Sequence, residues 1–216
     1  MKADQYDIDN AKYPTALRAR LGNAAPHCLY ALGDVSILRH RQLGLICSIR
    51  CPGSIVIQTF DAMRALRDAC VVVIGGFHSP IERECLGILL RGSQPIIMCA
   101  AKRLHGLRLG AAGRKALKDG RLLVITPFDD RVRRTTAAQA IQRNELVAAL
   151  AEAALVPYAS PGGKAESTAR NVLARRQSLF TFADENSANL TKAGAAVYVL
   201  DRVRSALGNG AIILRN

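Results

Sequence analysis

Short apolar runs alternate with amphipathic stretches along most of this chain, and the sharpest change of period falls in Val71 to Leu90, VVVIGGFHSPIERECLGILL. Val71 to Ile74 form an unbroken β-branched run, which predicts a strand buried on both faces. Past Gly75 and Gly76, Ser79 and Pro80 suit a helix N-cap and first turn, and Ile81, Cys85, Leu86 and Leu89 recur at helical spacing. Strand, glycine turn and helix in that order present backbone N–H groups at the positive end of a helix, which suits an anion such as phosphate.

The same reading extends in both directions. His27–Leu32 and Gln42–Cys47 predict strands, and from Ser54 the pattern turns helical with Val56, Phe60, Met63 and Leu66 on one face. The strand at Val71 then closes a β-α-β crossover of right-handed sense. Gln94–Ala100, Arg121–Thr126, Ala154–Tyr158 and Ser178–Phe182 predict further strands. Between them fall a basic, Gly-rich loop with a short helix near Arg114–Lys118, a helix over Thr136–Glu152 with Ile141, Leu146, Val147 and Leu150 inward, and a helix bearing Ala165, Ala169, Val172 and Leu173. Residues 1–12 are polar and expected to be poorly ordered, and Tyr13 to Pro26 reads as an irregular lead-in. Ala188–Ala206 reads as terminal helical packing around a short extended piece, and Gly208–Asn216 has no pattern that assigns an element.

This alternation predicts an α/β fold: a Rossmann-like three-layer sandwich with a mostly parallel central sheet, whose ligands collect at the carboxyl ends of the strands. Residues 1–40 are expected as an N-terminal extension packed on a core of residues 41–216. Three loops lie at such strand ends: Ser48–Gly53, Gly75–Pro80 and Ser160–Glu166.

Composition narrows the partners. Thirty Lys and Arg against 17 Asp and Glu give a formal net charge of +13, which draws polyanions and puts nucleic acid first among them. Six cysteines lie mostly in apolar runs with no paired C-x-x-C, which points to reduced thiols in a cytoplasmic protein and not to zinc. No apolar segment is long enough to span a bilayer, so no membrane role is expected.

Within the loops, Gly162 and Gly163 repeat the logic of the central turn, with Lys164 beside them as a point charge for phosphate. Arg143 and Asn144 stand in a helix otherwise built of Ala, Leu and Val, where a planar guanidinium suits phosphate and an amide suits a base or ribose. Both Lys164 and Arg143 are expected to be partly exposed on one face. His78, with Glu82 and Glu84 close behind, has the composition of an acid–base pair. No P-loop, nucleophile elbow or metal-ligand spacing occurs, so neither metal nor cofactor is expected.

In order, Ser48-x-Arg50, Gly75-Gly76, Arg143-Asn144 followed by Ala148-Ala149-Leu150, and Gly162-Gly163 resemble the signature blocks of the DNA-processing protein A (Smf) family, over about Tyr13 to Leu200. The resemblance implies an extended Rossmann fold that binds single-stranded DNA, serves DNA processing, uptake or recombination, and helps load a recombinase without known catalysis. It implies phosphate-binding roles for Ser48, Arg50, Gly75, Gly76, Arg143, Asn144, Gly162 and Gly163, to which the residues themselves add His78, Ser79, Lys164 and Glu166. Where that family's turn continues Gly-Ile-Asp, this chain has Phe77-His78-Ser79. The segment Pro161-Gly162-Gly163-Lys164-Ala165-Glu166 also looks like the glycine loop of lysine-decarboxylase-like nucleotide hydrolases. A nucleotide-binding sensor or hydrolase, with His78, Glu82 or Glu166 acting on a ribosyl phosphate, is therefore the alternative. Expected partners are single-stranded DNA or a nucleotide, with a recombinase and a second copy of the chain as further classes. The expectation is a trimmed core, without the N-terminal helical module or winged-helix domain that many members carry.

Overall fold

The computed structural model describes residues 3–208. In chain order the elements are β1 (Asp4–Asp7), α1 (Thr15–Leu21), β2 (Cys28–Leu32), β3 (Gln42–Leu45), α2 (Gly53–Asp68), β4 (Val72–Gly75), α3 (Pro80–Leu89), β5 (Ile96–Cys99) and α4 (Ala111–Lys118). There follow β6 (Leu122–Thr126), α5 (Ala137–Leu150), β7 (Ala153–Leu155), α6 (Lys164–Ala174), β8 (Ser178–Thr181), α7 (Ala188–Ala193), β9 (Ala196–Val197) and α8 (Leu200–Ala206).

The strands make one sheet in the order β1-β2-β6-β5-β4-β3-β7-β8-β9. All pairings from β6 through β9 are parallel, and β1 and β2 are antiparallel additions at the β6 edge. Two apolar layers explain the sequence pattern. Val72, Ile74, Ile97 and Ile125 face α1, α5, α6 and α7, while Val71, Val73, Ile96 and Val124 face α2, α3 and α4. Successive residues of a strand point to opposite faces, so a strand covered on both reads as an unbroken apolar run.

The chain winds from β3 outward to β6, then returns through α5 to β7 on the other side of β3. The loops after β3 and β7 thus leave neighbouring strands toward opposite faces, which opens a crevice at the carboxyl edge. α5 lies across the middle of the sheet against β3, β4 and β5.

Three expectations need correction. Asp4–Asp7 is a strand, because its backbone pairs with β2 although its side chains stay largely in water. Thr15–Leu21 is a helix, with Leu17 buried against α5's layer. Ile141 is 39% exposed, and Arg143 lies buried two positions further on. Beyond Gly208, the unassigned ending falls outside the described residues.

Candidate functional site

The three loops named from sequence follow β3, β4 and β7, which are neighbours in the sheet. At about 4.8 Å per strand step, they share one crevice. Two of them touch: the Ser160 N–H donates to Ser48 Oγ at 3.0 Å. The Ser48 N–H in turn donates to the Tyr158 carbonyl at 3.1 Å, continuing the β3–β7 ladder past the strand ends.

The central turn owes its glycines to close packing and not to unusual torsions. A Cβ on Gly75 would press on the Phe77 ring at 3.2 Å and the Leu45 carbonyl oxygen at 3.3 Å. A Cβ on Gly76 would fall inside the Arg143 guanidinium. The left-handed torsion in this turn belongs to Phe77, at φ 47°, whose buried ring holds it there. Ser79 caps α3, accepting from the Glu82 N–H at 3.3 Å, while Glu82 Oε2 accepts from the N–H groups of Ser79 at 3.0 Å and His78 at 3.2 Å. His78 is exposed, and its hydrogen bond to Glu82 comes from the backbone and not from the ring. The expected imidazole–carboxylate pair is therefore absent here. Among the described residues, the N–H groups of Gly76 and Phe77 make no hydrogen bond.

Arg143 is the residue whose placement departs most from expectation. It is 5% exposed, not a surface cation, and lies on the α5 face turned toward β4. Its Nε donates to Asn144 Oδ1 at 2.8 Å, and among the described residues no carboxylate stands within ion-pair distance. Its charge opposes the burial that pushes the Cys99 thiol up to about 12. A buried cation without a counter-ion costs on the order of several kcal/mol.

The last glycine loop is built differently. Gly162 has φ +69° with open space around it, and Gly163 has the Ser160 carbonyl oxygen 2.8 Å from where a Cβ would stand. Glu166, buried in the first turn of α6, accepts from the Gly162 N–H at 2.8 Å and from Asn189 Nδ2 at 2.7 Å. Those bonds, Asn189's first, lower its carboxyl below the ordinary value. Lys164 opens the helix and is exposed, as is Arg50 across the crevice. Asn189, 23 residues further along the chain, has no local signal that would mark it as Glu166's anchor.

Beside Arg50 lies a groove of about 680 Å³ lined by Ile49, Val56, Phe60 and Ile81 among others. Further along the same edge, the loops after β5 and β6 are joined, with Arg103 donating to the carbonyls of Val132 and Asp130 at 2.9 and 3.0 Å. Arg133 and Arg134 stand exposed there. Among the described residues no group of three or more metal-ligating side chains occurs, and no helix is long and apolar enough to cross a membrane.

Comparison with known proteins agrees with this architecture. The structure of DNA processing protein A from Streptococcus pneumoniae superposes with a TM-score of 0.78 at 16% identity, covering 95% of this chain and 74% of that one. DNA processing protein A from Helicobacter pylori, described for its single-stranded DNA binding mode, gives 0.76 at 18% identity, covering 98% and 100%. A molybdenum cofactor binding protein from Rippkaea orientalis gives 0.54 at 10% identity, covering 77% and 97%. At such identities the likeness is one of fold. Comparison with curated proteins gives no match. The family model for DNA recombination-mediator protein A matches residues 5–202, nearly the whole chain, and the chain belongs to that family.

Proposed function

We propose that this protein binds single-stranded DNA along the carboxyl edge of its sheet, seating a backbone phosphate at the Gly76 turn. The observation that carries the reading is Arg143, a buried guanidinium with no carboxylate partner among the described residues, packed against a turn with two unbonded N–H groups. A phosphate there would provide the missing counter-charge. Arg50 and Lys164 flank the crevice, Arg133 and Arg134 continue the positive edge, and the groove beside Arg50 offers Phe60 and Ile49 to bases. Family membership and the net charge of +13 support the same ligand. Phosphate contacts outweigh stacking in this account, because few aromatic side chains line the edge.

All of these contacts fall within the proposed core of residues 41–216, with residues 1–40 as its extension. On the family's description as a recombination mediator, we extend the proposal to a recombinase and a second copy of the chain as partners. The proposed compartment is the cytoplasm, which suits six free thiols.

The rival, a sensor or hydrolase of small nucleotides, needs a carboxylate free to act. Glu82 and Glu166 instead hold backbone N–H groups of their own turns, which favours binding over catalysis. Anisotropy of a labelled oligothymidylate, titrated at rising salt, tests the proposal. Affinity that falls steeply with salt is expected. Absence of binding at low salt, or release of free base from nucleoside monophosphates, would overturn it.

A further inference from the structure

Cys47 and Cys51 bracket Ser48, Ile49 and Arg50, the loop that carries two of the proposed contacts. Both are free thiols, and their sulfurs stand 4.0 Å apart, Cys47 donating to Cys51. Their surroundings differ. Cys47 is buried and held in place by the strand hydrogen bonds on either side of it, Ile46 N–H to Leu155 at 3.2 Å and Ser48 N–H to Tyr158 at 3.1 Å. Cys51 is only half-buried and lines the groove beside Arg50. The hydrogen bond from Cys47 lowers the Cys51 thiol below its ordinary value, against burial and the Asp184 carboxylate, and the same bond together with burial raises Cys47. A more acidic, more accessible sulfur beside a protonated, sheltered one is the arrangement of an attacking and a resolving cysteine.

We infer that Cys47 and Cys51 form a reversible intramolecular disulfide, with a peroxide as oxidant, that reshapes the loop bearing Ser48 and Arg50. The Cys51 thiolate attacks a peroxide oxygen and the O–O bond breaks, leaving Cys51 as a sulfenic acid and releasing hydroxide. The Cys47 sulfur then attacks the Cys51 sulfur, the S–O bond breaks, and water departs with the Cys47 proton. Two electrons pass from the two sulfurs to one hydrogen peroxide, which ends as two waters. A disulfide is about 2.0 Å long, so the sulfurs must close by about 2 Å. Since Cys47 and the Ser48 N–H are held by the strand ladder, Cys51 with Ile49 and Arg50 does the moving, and the tightened loop turns the Ser48 side chain so that its Oγ leaves the Ser160 N–H. The effect on DNA rests on the function proposed above: loss of about one charge-assisted contact should weaken binding about tenfold in the oxidised form.

The test uses the full chain with Cys28→Ser and Cys70→Ser, which removes the other half-buried thiols. After hydrogen peroxide, alkylation and trypsin, which cuts between Arg50 and Cys51, peptide mass should show the Cys47 and Cys51 peptides linked, and dithiothreitol should separate them. In the added Cys47→Ser variant Cys51 should instead be trapped by dimedone as a sulfenic acid. The Ser160 amide resonance should shift on oxidation of the parent and not in a Cys51→Ser variant. No linked peptide, or a linked peptide with Ser160 unmoved, overturns the inference. If the reduced protein binds no DNA, the proposed function fails while the peptide and Ser160 readouts still decide the disulfide. If the reduced protein binds and the linked form binds equally well, the switch is refuted.

Discussion

The two glycine turns share a plan and differ in what enforces it. Each follows a parallel strand, precedes a helix, and places a buried glutamate in the helix's first turn whose carboxylate reaches back to backbone N–H groups. At Gly75-Gly76 the glycines are small because Phe77, Leu45 and Arg143 occupy the space a side chain would need. At Gly162 the space is open, and the left-handed torsion is what calls for glycine. The first turn is thus a packed seat with a cation beneath it, and the second an exposed bend steadied from outside by Glu166 and Asn189. Because both glutamates already use helix-start N–H groups, cationic side chains carry more of the proposed anion binding than the helix ends do.

Substitutions by a single methyl group should separate the two turns most strongly. Gly76→Ala meets the tip of a flexible arginine and not backbone, so it should displace the guanidinium, weaken DNA binding about tenfold, and barely alter the melting temperature. Gly162→Ala should do the reverse. Its left-handed torsion adds about 1 kcal/mol of strain, or a melting temperature lower by about 2–4 °C at this chain length, with affinity little changed. If the two variants behave alike in melting and in anisotropy, the distinction between the turns fails.

A smaller effect is expected from Lys164→Ala. Loss of one exposed phosphate contact should flatten the plot of log affinity against log salt by about one unit or slightly less, with the fold intact. A slope equal to the parent's would remove Lys164 from the interface.

The smallest effect concerns acid. Folding lowers the Glu166 carboxyl below its ordinary value of 4.5, so the unfolded chain binds that proton more tightly than the folded one. Its contribution is complete above 4.5 and lost as pH falls through the folded value. Glu166→Gln should therefore lessen the fall in stability over that acid range, measured by urea unfolding at stepped pH. An unchanged profile would show that the Gly162 and Asn189 contacts do not hold the carboxylate as described.

Much of this was legible in the chain, and for a physical reason. Six of the seven parallel strands, all but the short exposed β9, are covered on both faces, which writes them as runs such as Val71–Ile74, and the capping residues Ser79 and Thr136 mark where α3 and α5 begin. β1 escaped because a polar edge strand is made by its partner's hydrogen bonds and leaves no apolar period. α1 escaped because only Leu17 of its seven residues is buried. In the site, the positions of Ser48, the glycines and Lys164 followed from strand ends. The burial of Arg143 did not, because periodicity puts an arginine in water and only the gap at Gly76, a residue 67 positions earlier, makes room for it.

That Arg143 is a buried cation completed by a DNA phosphate, as proposed, is put to the test by Arg143→Met, which keeps an apolar stem in place of the charged one. Anisotropy with oligothymidylate across a salt series, paired with thermal melting, reads both sides of the claim. Affinity should fall about tenfold or more and the salt slope should flatten by about one unit. The melting temperature should hold or rise, since an uncompensated buried charge has been removed. Unchanged affinity and slope in a folded Arg143→Met protein would contradict it.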